Sequence, residues 1–156
     1  MNEPAEDQGA PLTATISLSA DIDHPISAVW NAIADTGQRV QWGVPDGEEM
    51  VCDVDEYRLG GSIRTRCGSP GALEFEATGQ YCALEPERFI VTTETLTRDG
   101  EILSTAIITW TLTATSTGAR VDLVDQVVSF VGQTMVDGHR NGHEICLRQL
   151  GEFLSS

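Results

Sequence analysis

Two histidines, His139 and His143, stand four residues apart near the C-terminus, with Asp137 just before them and Cys146 three residues after. On a helix, positions i and i+4 share a face. Two imidazoles with a nearby thiol are donors of the kind that hold Zn²⁺. The same pair can also serve a polar pocket as hydrogen-bond donors or as an acid/base couple, or can be structural or exposed. No Glu follows the first His, so the HExxH zinc-protease pattern is absent, and the spacing supplies no third protein ligand. The reading therefore assigns no metal and no other cofactor. It places His139 and His143 as polar anchors of a ligand cavity.

Carboxylates within apolar strands are the next candidates: Glu94, Asp122 and Asp125. If the strands carrying Ile108 and Asp125 pair at an index sum near 233, Trp110 faces Leu123 and Ile108 faces Asp125. Asp125 then joins the histidines on the inner face, where burial would perturb its titration. A solvent-facing acid is the alternative. Arg64 and Arg66, set against Glu76 and Glu74, form a cross-strand ion ladder if the turn at Gly68–Gly71 closes at sums near 140. The ladder lies on an exposed sheet face, or points inward toward a polar ligand if the register slips by one. Trp42, Phe75, Phe89 and Trp110 are the aromatic candidates for the cavity wall. The remaining aromatics are dispersed and read as core. There is no GxSxG elbow and no Cys–His signature, so covalent catalysis has no support.

The composition narrows the chemistry further. Among 156 residues there are nine arginines and no lysine against 24 acids, a net charge of −15. That excludes a lysine Schiff base, a lysine general base and a Walker P-loop. It also argues against nucleic-acid or anionic-membrane partners, which need a basic face. Residues 1–60 carry 12 acids and two arginines, so −10 of the charge precedes most of the strands. The acidic N-terminus has no apolar core, and no apolar run is long enough to span a bilayer. A cytoplasmic location is expected, with Cys52, Cys67, Cys82 and Cys146 as reduced core residues.

These side chains need elements to position them. Residues 1–12 read as a disordered acidic lead-in, and residues 13–156 as one domain. Thr13 to Ala20 alternates as a strand. Pro25 then opens a helix whose inner face carries Ile26, Val29, Trp30 and Ile33, and a short second helix or turn carries Val40 and Trp42. Six strands follow, near residues 50–57, 62–67, 73–84, 89–97, 102–113 and 119–130, separated by Gly- and Pro-containing turns. Residues 135–154 form a C-terminal helix with an apolar face, weakened at Gly138 and Gly142 by roughly 1 kcal/mol each relative to Ala. The expected class is α+β: a curved seven-stranded antiparallel sheet wrapped around the long final helix, with a space between them.

The motifs also resemble those of a known family. Pro25-Ile26-Ser27-Ala28-Val29-Trp30, then Trp42, then Asp53 with Tyr57-Arg58-Leu59-Gly60-Gly61, resemble the activator of Hsp90 ATPase branch of the START-like, or SRPBCC, helix-grip superfamily. So do Gly79-Gln80-Tyr81 with Leu84-Glu85-Pro86-Glu87-Arg88-Phe89, and the final helix with Gly142 and Leu150. The likeness covers about residues 13–154 in order. One departure is His143, where the branch often has Trp. The resemblance implies a helix-grip fold with an internal cavity for a small hydrophobic molecule. The domain's own field makes that molecule neutral or cationic. Two further functions stand beside it: a polyketide-cyclase-like or lyase-like enzyme using the same cavity, and a co-chaperone-like stress-response protein that meets a chaperone ATPase. The chain is expected to be a monomer or homodimer.

Overall fold

Period-two alternation builds most of this molecule, and the computed structural model describes residues 10–156. β1 (Leu12–Ile22) is followed by α1 (Ile26–Ala34) and α2 (Thr36–Trp42). Six strands come next: β2 (Glu49–Asp55), β3 (Ser62–Ser69), β4 (Ala72–Glu85), β5 (Phe89–Arg98), β6 (Glu101–Ala114) and β7 (Ala119–Ser129). α3 (Gln133–Ser155) closes the chain. All seven strands form one antiparallel sheet in the order β1-β7-β6-β5-β4-β3-β2. The expected α+β architecture is the observed one. The lead-in expected over residues 1–12 lies outside the described residues up to residue 9, and Leu12 already belongs to β1.

Local chemistry explains the boundaries. Asp35 caps α2 by accepting the Gln38 N–H at 2.9 Å. Asp99 and Gly100 both have positive φ and make the two-residue turn between β5 and β6. Along β7, Val121, Leu123, Asp125, Val127 and Ser129 face inward in strict alternation. The main core joins this sheet face to Val29, Trp30 and Ile33 of α1, Trp42 of α2, and Leu147 and Leu150 of α3. A second cluster around Ile16, Ile108, Val127 and Val136 holds the start of α3 on the sheet. α3 runs unbroken through Gly138 and Gly142, because packing of its apolar face outweighs their low propensity.

Two details differ from expectation. The β3–β4 register places Arg64 opposite Thr78 and Arg66 opposite Glu76, two positions from the expected ladder. The turn closing with Ser69 opposite Ala72 supplies one position of the offset, and a bulge between Cys67 and Ser69 supplies the other. A two-residue shift preserves the face. Arg66 instead pairs with Asp53 on β2, at 2.7 and 3.0 Å. All four cysteines are free, yet Cys82 is exposed rather than in the core. It follows the buried Tyr81 on β4, so alternation turns it to the outer face.

Candidate functional site

Between α3, α2 and the concave sheet face lies a cavity of about 200 Å³. Its apolar wall includes Ile33, Trp42, Ile63, Ile90, Ile108 and Trp110. Trp42 and Trp110 meet edge to face with centroids 6.0 Å apart. Polar groups enter from Arg39, Glu94 and His143.

The β6–β7 register is the expected one: Trp110 opposes Leu123 and Ile108 opposes Asp125. Asp125 is completely buried, flanked across its neighbouring strands by Ile16 and Ile108. Its Oδ2 accepts from His139 Nδ1 at 2.6 Å and from His143 Nε2 at 2.8 Å. Its Oδ1 has no hydrogen-bond partner among the described residues. His139 Nε2 shares a 3.0 Å hydrogen bond with the Ser104 hydroxyl. A Ser–His–Asp sequence of contacts results, but Ser104 is buried and does not line the cavity. Burial alone would raise the Asp125 pKa. The hydrogen bonds and charge of both imidazoles outweigh it and hold the carboxyl below its ordinary value. Burial opposes the charge on His139, yet its contact with Asp125 wins and raises its pKa. Glu94 faces the cavity, and burial pushes its pKa up against the pull of His139 and His143.

A second polar group braces the opposite wall. Asp55 accepts from Thr36 Oγ1, from the Tyr81 hydroxyl and from Arg39 Nη2, the last at 2.8 Å. Arg39 Nη1 also donates to the Ile33 carbonyl at 2.9 Å, tying α1, α2, β2 and β4 together. Burial would raise the Asp55 pKa, but these hydrogen bonds and the Arg39 charge lower it. A depressed carboxylate contributes stability that is complete above its unfolded pKa and lost as pH falls through the folded value. Asp55→Asn should therefore cost about 1–2 kcal/mol at neutral pH. It should also flatten the acid limb of stability below the ordinary Asp range, as read from urea midpoints across an acid pH series. An unchanged acid limb would remove Asp55 from this role.

The sequence candidates separate clearly. Trp42, Trp110 and His143 line the cavity, and Asp125 and His139 lie directly behind His143. Phe75 and Phe89 are not among the lining residues. Phe89 is out of phase with Ile90, Thr92 and Glu94, so it points to the other face of β5. Phe75 has the phase of Ala77 and Gly79 but sits beyond the cavity, its ring under the Arg98 guanidinium at 5.5 Å. Asp122 faces outward to Ser19 and Arg120. The Asp55 group escaped sequence reasoning because its members come from four segments. A bulge between Cys52 and Val54 puts Asp55 in line with the cavity-lining Ile63 and leaves Asp53 outside. Cys146 also lines the cavity, its thiol pushed up to about 11 by burial.

Solved structures share this fold. A protein from Rhizobium leguminosarum superposes with a TM-score of 0.82 and 23% identity, covering 94% of this chain and 97% of that one. One from Rhizobium loti gives 0.81 and 23%, covering 92% and 99%. The AHSA1 protein of Silicibacter pomeroyi gives 0.78 and 20%, covering 91% and 98%. These likenesses establish the fold alone. No curated protein matches the sequence. The family model for "Activator of Hsp90 ATPase homolog 1-like protein" matches residues 23–155, from the turn before α1 to the end of α3. By that match the chain belongs to the activator of Hsp90 ATPase homolog 1-like family of the helix-grip superfamily.

Proposed function

We propose that this protein binds a small, mainly apolar molecule in the cavity between the sheet and α3. The observation that carries the reading is the tryptophan-walled cavity with Glu94 and His143 at its polar side. At about 200 Å³ it is smaller than the roughly 300–1,000 Å³ of sites for drug-sized ligands, which favours compounds of one or two rings. The net charge of −15 and the inward Glu94 favour a neutral or cationic ligand, and the two indoles offer a cation an aromatic face.

Tryptophan fluorescence against small neutral and cationic aromatic compounds tests this. The expected result is saturable quenching by at least one class, weakened in Trp110→Ala. Absence of any quenching, together with no rise in thermal midpoint, would overturn the proposal.

A catalytic use of the cavity is the second reading, favoured by the contact of His143 with Asp125. With Nε2 donating to the carboxylate, the other imidazole nitrogen is left to exchange a proton with a bound molecule. Turnover of a fluorescence-positive compound, lost in His143→Ala with binding retained, would support it. Unchanged recovery of that compound after long incubation would reject it.

A further inference from the structure

We propose that Asp125, His139 and His143 form a binding site for one first-row divalent transition-metal ion, such as Zn²⁺, at the inner end of the cavity. Their ligand atoms lie within 4.8 Å of one another. The helix supplies two imidazoles on one face, and β7 supplies the third donor through its inward alternation. Two nitrogens and one carboxylate suit Zn²⁺ or Co²⁺, and three protein ligands leave positions open for an outside ligand.

Three further features fit an ion. Asp125 Oδ1 is fully buried with no partner among the described residues, while Oδ2 receives both imidazoles. A half-satisfied buried carboxylate is uncommon in native cores, and an ion among the three groups would give it a full set of contacts. His139 already has an outer partner. Ligation through Nδ1 leaves Nε2–H to donate to Ser104 Oγ, the type of contact that fixes a ligating imidazole. A second carboxyl, Glu94, lines the same cavity as His143. His143 lines the cavity, so the open coordination positions face the space where a small molecule would sit.

This inference does not depend on the organic ligand. It does exclude the catalytic reading of His143 in the metal-loaded form, because the ion takes the nitrogen that Asp125 otherwise holds.

The test is titration of chelator-treated protein with Zn²⁺ by calorimetry and with Co²⁺ by visible absorption, with no organic compound present. One ion per chain is expected, with visible Co²⁺ bands and no thiolate charge-transfer band. Affinity should fall by at least roughly 10-fold in His143→Ala and in Asp125→Asn, with circular dichroism unchanged, and should persist in Cys146→Ser and His24→Ala. No saturable uptake of either metal would overturn the site. Undiminished uptake in His143→Ala, or loss of uptake in Cys146→Ser, would do the same. Any of these failures would leave the fluorescence test of the cavity untouched.

Discussion

Asp125→Ala should lower the free energy of unfolding of the metal-free protein by about 3–5 kcal/mol. The carboxylate is completely buried and is the common acceptor for His139 and His143. Its removal leaves the buried His139 Nδ1–H with no acceptor and a void between Ile16 and Ile108. An orphaned buried donor costs about 1–3 kcal/mol, and the lost charge pairing adds to it. Asp125→Asn keeps the shape and one carbonyl acceptor, so its loss should be smaller, about 1–2 kcal/mol. Urea unfolding in a chelating buffer reads both values, with an unchanged m-value as the control for two-state behaviour. A loss below about 1 kcal/mol for Asp125→Ala would mean that the imidazoles do not depend on this carboxylate.

Gly79→Ala should be as damaging for a different reason. A Cβ at Gly79 would sit 1.8 Å from the Thr93 carbonyl oxygen and 2.7 Å from its carbon. Both obstructing atoms are backbone, so relief requires β4 and β5 to separate at the cavity wall. The expected loss is about 4 kcal/mol or more, the range reserved for strain and broken core structure. Gly138 is the internal control. It lies in α3 with open space where a Cβ would go. Gly138→Ala should therefore stabilise the protein by about 0.5–1 kcal/mol through helix propensity. Thermal and urea melts of the two variants should move in opposite directions. If Gly79→Ala melted like the parent, the close approach of the two strands would be wrong.

Much of this architecture is legible in the sequence. Ile26, Val29, Trp30 and Ile33 announce α1, and the Asp99-Gly100 turn fixes the β5–β6 hairpin. The β6–β7 register considered from the sequence, with Ile108 opposite Asp125, is the one the sheet adopts. Where strands are regular, phase alone carries side chains to the right face. Where they are irregular, phase misleads. Simple alternation puts Asp53 and Asp55 on one face, and the bulge in β2 separates them; the turn and bulge of β3 together move Arg64 away from Glu76. Phe75 and Phe89 look like cavity walls by type, but one lies past the cavity and the other faces away. The Asp55 group is invisible by spacing, because its acceptor and donors meet only after α1, α2, β2 and β4 have packed. His139 and His143 were legible as a pair, whereas their joint hold on one carboxylate oxygen needed the depth of α3 against β7.

The strand order carries a consequence for how the chain assembles. β2 to β7 lie beside their sequence neighbours, so each pairing closes a short loop and can nucleate locally. β1 pairs only with β7, which lies across the whole meander from it. Its docking closes a loop of nearly the whole described chain, and a non-local pairing of this kind slows folding. Ile16, the most deeply buried residue of β1, packs beside Asp125 and below the start of α3. The two imidazoles therefore acquire a dry, fixed carboxylate only once the first strand of the chain has joined the sheet beside the last.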